Sequence, residues 1–99
     1  MKERRVTFAP EAAEDLVSIY DWIAEAASPA VAIGYIDRVE AFCLRLGIGS
    51  ERGHLRQDIR PGLRIIGFER RLTIAFVVGA ETVTILRVFA SGRNWEATF

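Results

Sequence analysis

Ser28-Pro29 stands between two long amphipathic patterns and leaves no room for a linker. Before it, Leu16, Ile19, Tyr20, Ile23 and Ala27 recur at three/four spacing. After it, Ala32, Tyr35, Ile36, Val39, Phe42, Cys43 and Leu46 do the same, with Asp37, Arg38, Glu40 and Arg45 mostly on the other side. That period belongs to helices with one apolar face. Serine caps a helix and proline suits its first turn, so the second helix restarts where the first stops. Two helices joined this closely fold back as an antiparallel hairpin.

The rest of the chain supplies a sheet for that hairpin. Leu63 to Phe68, Leu72 to Val78 and Val83 to Phe89 read as three short strands. In the last, Val83, Ile85, Arg87 and Phe89 alternate with Thr84, Leu86 and Val88. Glu69-Arg70-Arg71 and Gly79-Ala80-Glu81 are short enough for hairpin turns, which gives an antiparallel meander. Arg4 to Phe8 is a further strand, with Val6 and Phe8 on one face. Pro10 then opens the first helix, with Glu11, Glu14 and Asp15 near its positive end, although Ala9 is a poor cap. Gly47, Gly49 and Gly53 end the second helical pattern, and about 15 residues up to Pro61 show little periodicity. A loop of that length is functional or holds short structure of its own. The expected fold is one α+β domain over residues 1–99: a strand, a helix hairpin, then a three-stranded meander, in the order β-α-α-β-β-β.

Thirteen Lys+Arg balance thirteen Asp+Glu, so the formal charge is zero. That removes the simplest argument for non-specific binding to nucleic acid or membrane. The charge is nevertheless divided. In residues 1–40, Lys2, Arg4, Arg5 and Arg38 face eight carboxylates; residues 41–99 hold nine arginines against five. Lys2 is the sole lysine. Arginine offers planar, bidentate hydrogen bonding and keeps its charge when partly buried. No apolar run approaches the roughly 20 residues that span a bilayer. The charged start, Lys2-Glu3-Arg4-Arg5, is not a signal peptide, so a cytoplasmic location is expected. One cysteine and one histidine argue against a disulfide or a zinc site, and neither metal nor cofactor is expected.

No phosphate loop, HExxH or Gly-x-Ser-x-Gly motif is present. Cys43 lies on the apolar stripe and reads as a buried thiol. Glu14 and Asp15 are neighbours on a helix and point apart, so they form no carboxylate pair. His54 is the only imidazole and sits in the long loop between Arg52 and Arg56. It is either a solvated loop residue or a general base in an arginine-rich site. Arg64 and Arg87 interrupt apolar strands, so each is paired internally or opens onto a cleft. Trp95 and Phe99 decorate a polar tail and are either packed back onto the fold or serve as interface anchors. Trp22 lies off the main stripe, where it widens the core face or meets a partner.

Gly53-His54-Leu55-Arg56-Gln57-Asp58-Ile59-Arg60-Pro61-Gly62-Leu63-Arg64 resembles the linker and first meander strand of the ParE branch of the RelE/ParE toxin superfamily. Ile85-Leu86-Arg87-Val88-Phe89 with Gly92-Arg93-Asn94 is similar to that family's last strand and trailing Arg-Asp/Asn. Phe8-Ala9-Pro10-Glu11-Ala12, Asp15-Leu16 and Ile19-Tyr20-Asp21-Trp22-Ile23 are similar to its first strand and helix. The resemblance runs along nearly the whole chain in the right order. It implies a type II toxin that inhibits DNA gyrase and replication. It also implies a ParD-like antitoxin that neutralises the toxin in a heteromeric complex and contacts operator DNA on its behalf.

Arg45, Arg56, Arg64, Arg70, Arg71 and Trp22 are the expected antitoxin contacts, since an acidic, apolar tail folding onto the meander would meet them. Arg93, Asn94, Trp95 and Phe99 are the expected gyrase contacts. The alternative implied by the same superfamily is a RelE-like nuclease that cuts messenger RNA on the ribosome, using Arg64, Arg87, Arg93 and His54. Ala90 stands where many relatives carry His or Tyr, and the tail has no Tyr, His or Lys; both departures weigh against cleavage. A third possibility is a non-toxic co-repressor that only binds the antitoxin.

Overall fold

A computed structural model describes residues 2–90 and 92–99. The chain runs β1 (Arg5–Phe8), α1 (Pro10–Ala26), α2 (Pro29–Arg45), β2 (His54–Leu55), β3 (Leu63–Phe68), β4 (Leu72–Val78) and β5 (Thr82–Ala90), then a 3-10 turn over Trp95–Thr98. The helix boundaries follow the local chemistry. Ser28 caps α2, its hydroxyl accepting from the Val31 amide at 3.1 Å, while Ala9 offers α1 no side-chain cap. Pro occupies the first turn of both helices.

The α+β class and the antiparallel meander of β3, β4 and β5 are as expected, but the sheet has five strands in the order β1-β5-β4-β3-β2. β1 runs parallel to β5, pairing Arg5 with Thr82 through Phe8 with Ile85. β2 pairs His54 with Ile65 and Leu55 with Arg64 inside the stretch where no periodicity is visible. Two residues are too few to show one.

A second correction concerns β5. Ala75 pairs with Arg87 while Phe76 pairs with Ile85, so Leu86 is an extra residue, a bulge. Its effect is to reverse the alternation. Val83 and Ile85 face the helices before the bulge, and Val88 does so after it. Phe89 turns to the other face with Ala75 and Leu63.

The main core lies between helices and sheet: Tyr35, Val39, Cys43 and Leu46 of α2 and its end against Ile74, Phe76, Val83 and Ile85. Burial pushes the Cys43 thiol up to about 12, with Glu40 adding to the effect, so it stays neutral at physiological pH. α1 is less covered. Ala12 is its only buried residue, and Leu16, Ile19 and Ile23 are half-buried. The opposite sheet face carries a smaller cluster of Leu63, Ala75 and Phe89, roofed by Ile59, Trp95 and Phe99.

Candidate functional site

The incomplete cover on α1 opens a groove of about 610 Å³. Its apolar lining includes Ile19, Trp22 and Ile23 of α1, Val31 and Tyr35 of α2, and Leu72 of β4. Trp22 is 68% exposed, so it belongs to the groove's edge and not to the core. The rim is the turn from β3 to β4. Arg38 donates from Nε and Nη2 to both oxygens of Glu69, at 3.1 and 3.2 Å. These hydrogen bonds hold the Glu69 carboxyl below its ordinary range and raise Arg38. Arg70 and Arg71 line the same rim and make no ion pair among the described residues.

The groove also holds an unsatisfied donor. The Tyr35 ring packs edge-on against Phe68 and under the Arg38 guanidinium, but its buried hydroxyl has no hydrogen-bond partner among the described residues. Burial raises its pKa. A buried polar group left unmade costs about 1–3 kcal/mol. Tyr35→Phe therefore stabilises the isolated chain by about 1 kcal/mol, read as a higher midpoint in urea. A lower midpoint would mean that the hydroxyl has an acceptor in solution.

Arg87 is committed elsewhere. Asp15 of α1 accepts from Arg87 Nε at 2.7 Å, Arg87 Nη2 at 3.0 Å and the Val88 amide at 2.9 Å. The pair is the most buried in the fold among the described residues, at 21% and 13% side-chain exposure. β1 ends at Phe8, and the Ala9 amide makes the last backbone bond to β5, at the Ile85 carbonyl. Asp15 takes over there, closing the edge of β5 that β1 no longer covers. Arg87 resolves as an ion pair to an acidic helix, and Glu14 beside Asp15 faces solvent.

Arg56 organises the other side of the sheet. Its guanidinium donates to Asp58 at 2.9 and 2.8 Å and to Glu96 at 3.0 Å, and lies over the Trp95 ring at 5.3 Å. The Asp58 carboxyl is held below its ordinary range by the same contacts. Phe99 meets Phe89 edge-to-face with centroids 6.1 Å apart. Trp95 and Phe99 are thus packed back onto the fold, leaving Arg93 and Asn94 exposed.

The residues expected to act together are divided between faces. Arg64 pairs with Phe76 and Arg87 with Ala75, adjacent residues of β4, so the two arginines leave the sheet on opposite sides. His54 pairs with Ile65 and shares the side of Arg87, as does Arg93, whose guanidinium sits 5.9 Å from the Phe89 ring. Among the expected antitoxin contacts, Trp22, Arg70 and Arg71 meet in the groove. Arg45 lies on the Phe42 ring, and half-buried Arg64 donates to the Arg52 carbonyl at 3.3 Å. Arg56 belongs to the far face with Trp95. Sequence reasoning missed Tyr35, Arg38 and Glu69. Tyr35 looked like core, and a contact between residues 38 and 69 leaves no local signal.

No cluster of metal-ligating groups occurs among the described residues, and no helix there is long and apolar enough to cross a membrane. The family described as the ParE toxin of the type II toxin–antitoxin system parDE matches residues 6–95. No curated protein sequence matches the chain. Among solved structures, a chain of the chromosomal ParDE toxin–antitoxin system from P. aeruginosa superposes with a TM-score of 0.78 at 24% identity, covering 90% of this chain and 97% of that one. That likeness establishes the fold.

Proposed function

This chain belongs to the ParE toxin family of type II toxin–antitoxin systems, and on that premise we propose that it inhibits DNA gyrase by binding, and that a ParD-like antitoxin neutralises it. The observation that carries the binding reading is the division of the basic groups. Arg64 leaves the sheet on one face; His54 and Arg87 leave it on the other, where the Arg93 guanidinium also lies by Phe89, with Arg87 locked to Asp15. General acid–base cleavage of RNA needs its groups converged on one bond. Gyrase already cuts DNA, so stabilising its cleaved state asks only for surface complementarity.

The exposed part of the tail, Arg93 and Asn94, is the proposed gyrase contact, with Trp95 and Phe99 acting as the roots that hold it in place. The antitoxin contact is the groove edged by Trp22, Arg70 and Arg71, extended toward Arg45 and Arg64. Operator DNA is reached through the antitoxin, in keeping with a chain of zero net charge. A cytoplasmic location follows from that target.

The test is a supercoiling assay with purified gyrase. Loss of supercoiling with linear DNA trapped on denaturation is the expected result. Normal supercoiling at excess of folded protein overturns it, and cleavage of messenger RNA on translating ribosomes would then support the nuclease.

A further inference from the structure

The two ends of the chain are held in different ways. Near the start, the Arg4 amide bonds to the Gly47 carbonyl at 2.8 Å and β1 pairs along β5. The tail joins no strand. Among the described residues its backbone bonds stay local, with the Arg93 amide on the Ala90 carbonyl, Trp95 on Arg93 and Ala97 on Asn94. One side-chain hydrogen bond ties it to the body, from Arg56 to Glu96 at 3.0 Å, and the Glu96 side chain is 49% exposed. Trp95 and Phe99 supply the rest of the hold, each only half-buried. Segments with few backbone bonds to the body and little burial open at low cost.

Release also strands no charge. Arg56 gives two bonds to Asp58, at 2.9 and 2.8 Å, and one to Glu96, so it keeps a two-pronged partner when Glu96 leaves. What release uncovers is apolar: Leu63, Ala75 and Phe89, now at most 1% exposed. It sets free Trp95 close behind Arg93, two residue types that anchor interfaces.

We propose that residues 92–99 form a strap that swings off the sheet when the target binds, so that Trp95 and Phe99 exchange the far face for the target's surface. The proposal rests on the gyrase reading above and adds that the unbound chain keeps its contact closed. Closure lowers the apparent affinity by the fraction of molecules that are open. Asp58 and Glu96 compete for one guanidinium, so they set that fraction in opposite directions.

The experiment measures the concentration of full chain that halves gyrase supercoiling, with amide exchange over residues 95–98 read on the same proteins. Glu96→Gln weakens the strap's tie. Exchange should quicken, and the half-inhibiting concentration should fall about two- to fivefold. Asp58→Asn leaves Glu96 as the only carboxylate on Arg56. Exchange should slow, and the half-inhibiting concentration should rise about two- to fivefold. A tail that must stay rooted to act would give the reverse order. Inhibition shifts that are reversed, in one direction for both variants, or absent in either overturn the strap and leave the gyrase reading standing. No inhibition by the wild-type chain overturns the gyrase reading, and the strap with it.

Discussion

Asp15→Ala lowers the stability of the chain by about 3 kcal/mol and its melting temperature by about 12–20 °C. The carboxylate satisfies three donors at once: two from Arg87 and the Val88 amide. Its loss strands a mostly buried guanidinium and an unpaired strand amide. Breaking a buried pair by removing one partner is costly for that reason, whereas replacing both by apolar groups often is not. Asp15→Ala combined with Arg87→Leu should therefore recover much of the loss. Thermal unfolding of both single variants and the double variant gives the coupling. A drop below about 1 kcal/mol for Asp15→Ala would place the pair with ordinary surface contacts and remove Asp15 as the closure of the β5 edge.

Gly53→Ala has the second large effect, about 2–4 kcal/mol. Gly53 has φ +73°, and an added Cβ would overlap the Ile65 carbonyl of β3. The glycine lets the chain pass against β3 just before β2 pairs with it. Arg56 follows within three residues, its amide bonded to the Leu63 carbonyl at 2.7 Å. Displacing this crossing should loosen the Arg56 contacts to Glu96 and Trp95 as well, seen as faster amide exchange over residues 54–56 and 95–98. Gly62→Ala is the control. Its φ is +76° but nothing lies within 4 Å, so only the conformational cost of about 1–2 kcal/mol applies. Equal losses for both variants would show that the contact with Ile65 contributes nothing.

Much of the fold was legible in residue spacing. The two helices follow their apolar stripes, and Ser28-Pro29 divides them as its chemistry requires. The three meander strands lie where their apolar runs do. What escaped was set by partners far along the chain. Nothing in Arg5–Phe8 says that it pairs parallel with Thr82–Ile85. The Leu86 bulge changes one residue's pairing and reverses every side chain after it, which alternation alone does not reveal.

The site was legible in part for the same reason. Trp22, Arg70 and Arg71 were each singled out by composition and position, and the groove unites them. Arg56 and Arg64 carry the same charge but lie apart, because strand parity and the Trp95 contact direct them to different faces. The tail aromatics could be read either as anchors or as packing. The Phe89 and Arg56 contacts that root them are visible only in three dimensions.

The parallel pairing of β1 with β5 also sets an order of events during synthesis. The first strand made is covered by the last, residues 5–8 waiting for 82–85. The helix hairpin can form while the ribosome is still working, since its contacts are local, but the sheet cannot close until β5 has emerged. Completion of the sheet therefore waits for residues 82–85, and a translation product truncated before them would lack the seam that holds β1 to β5.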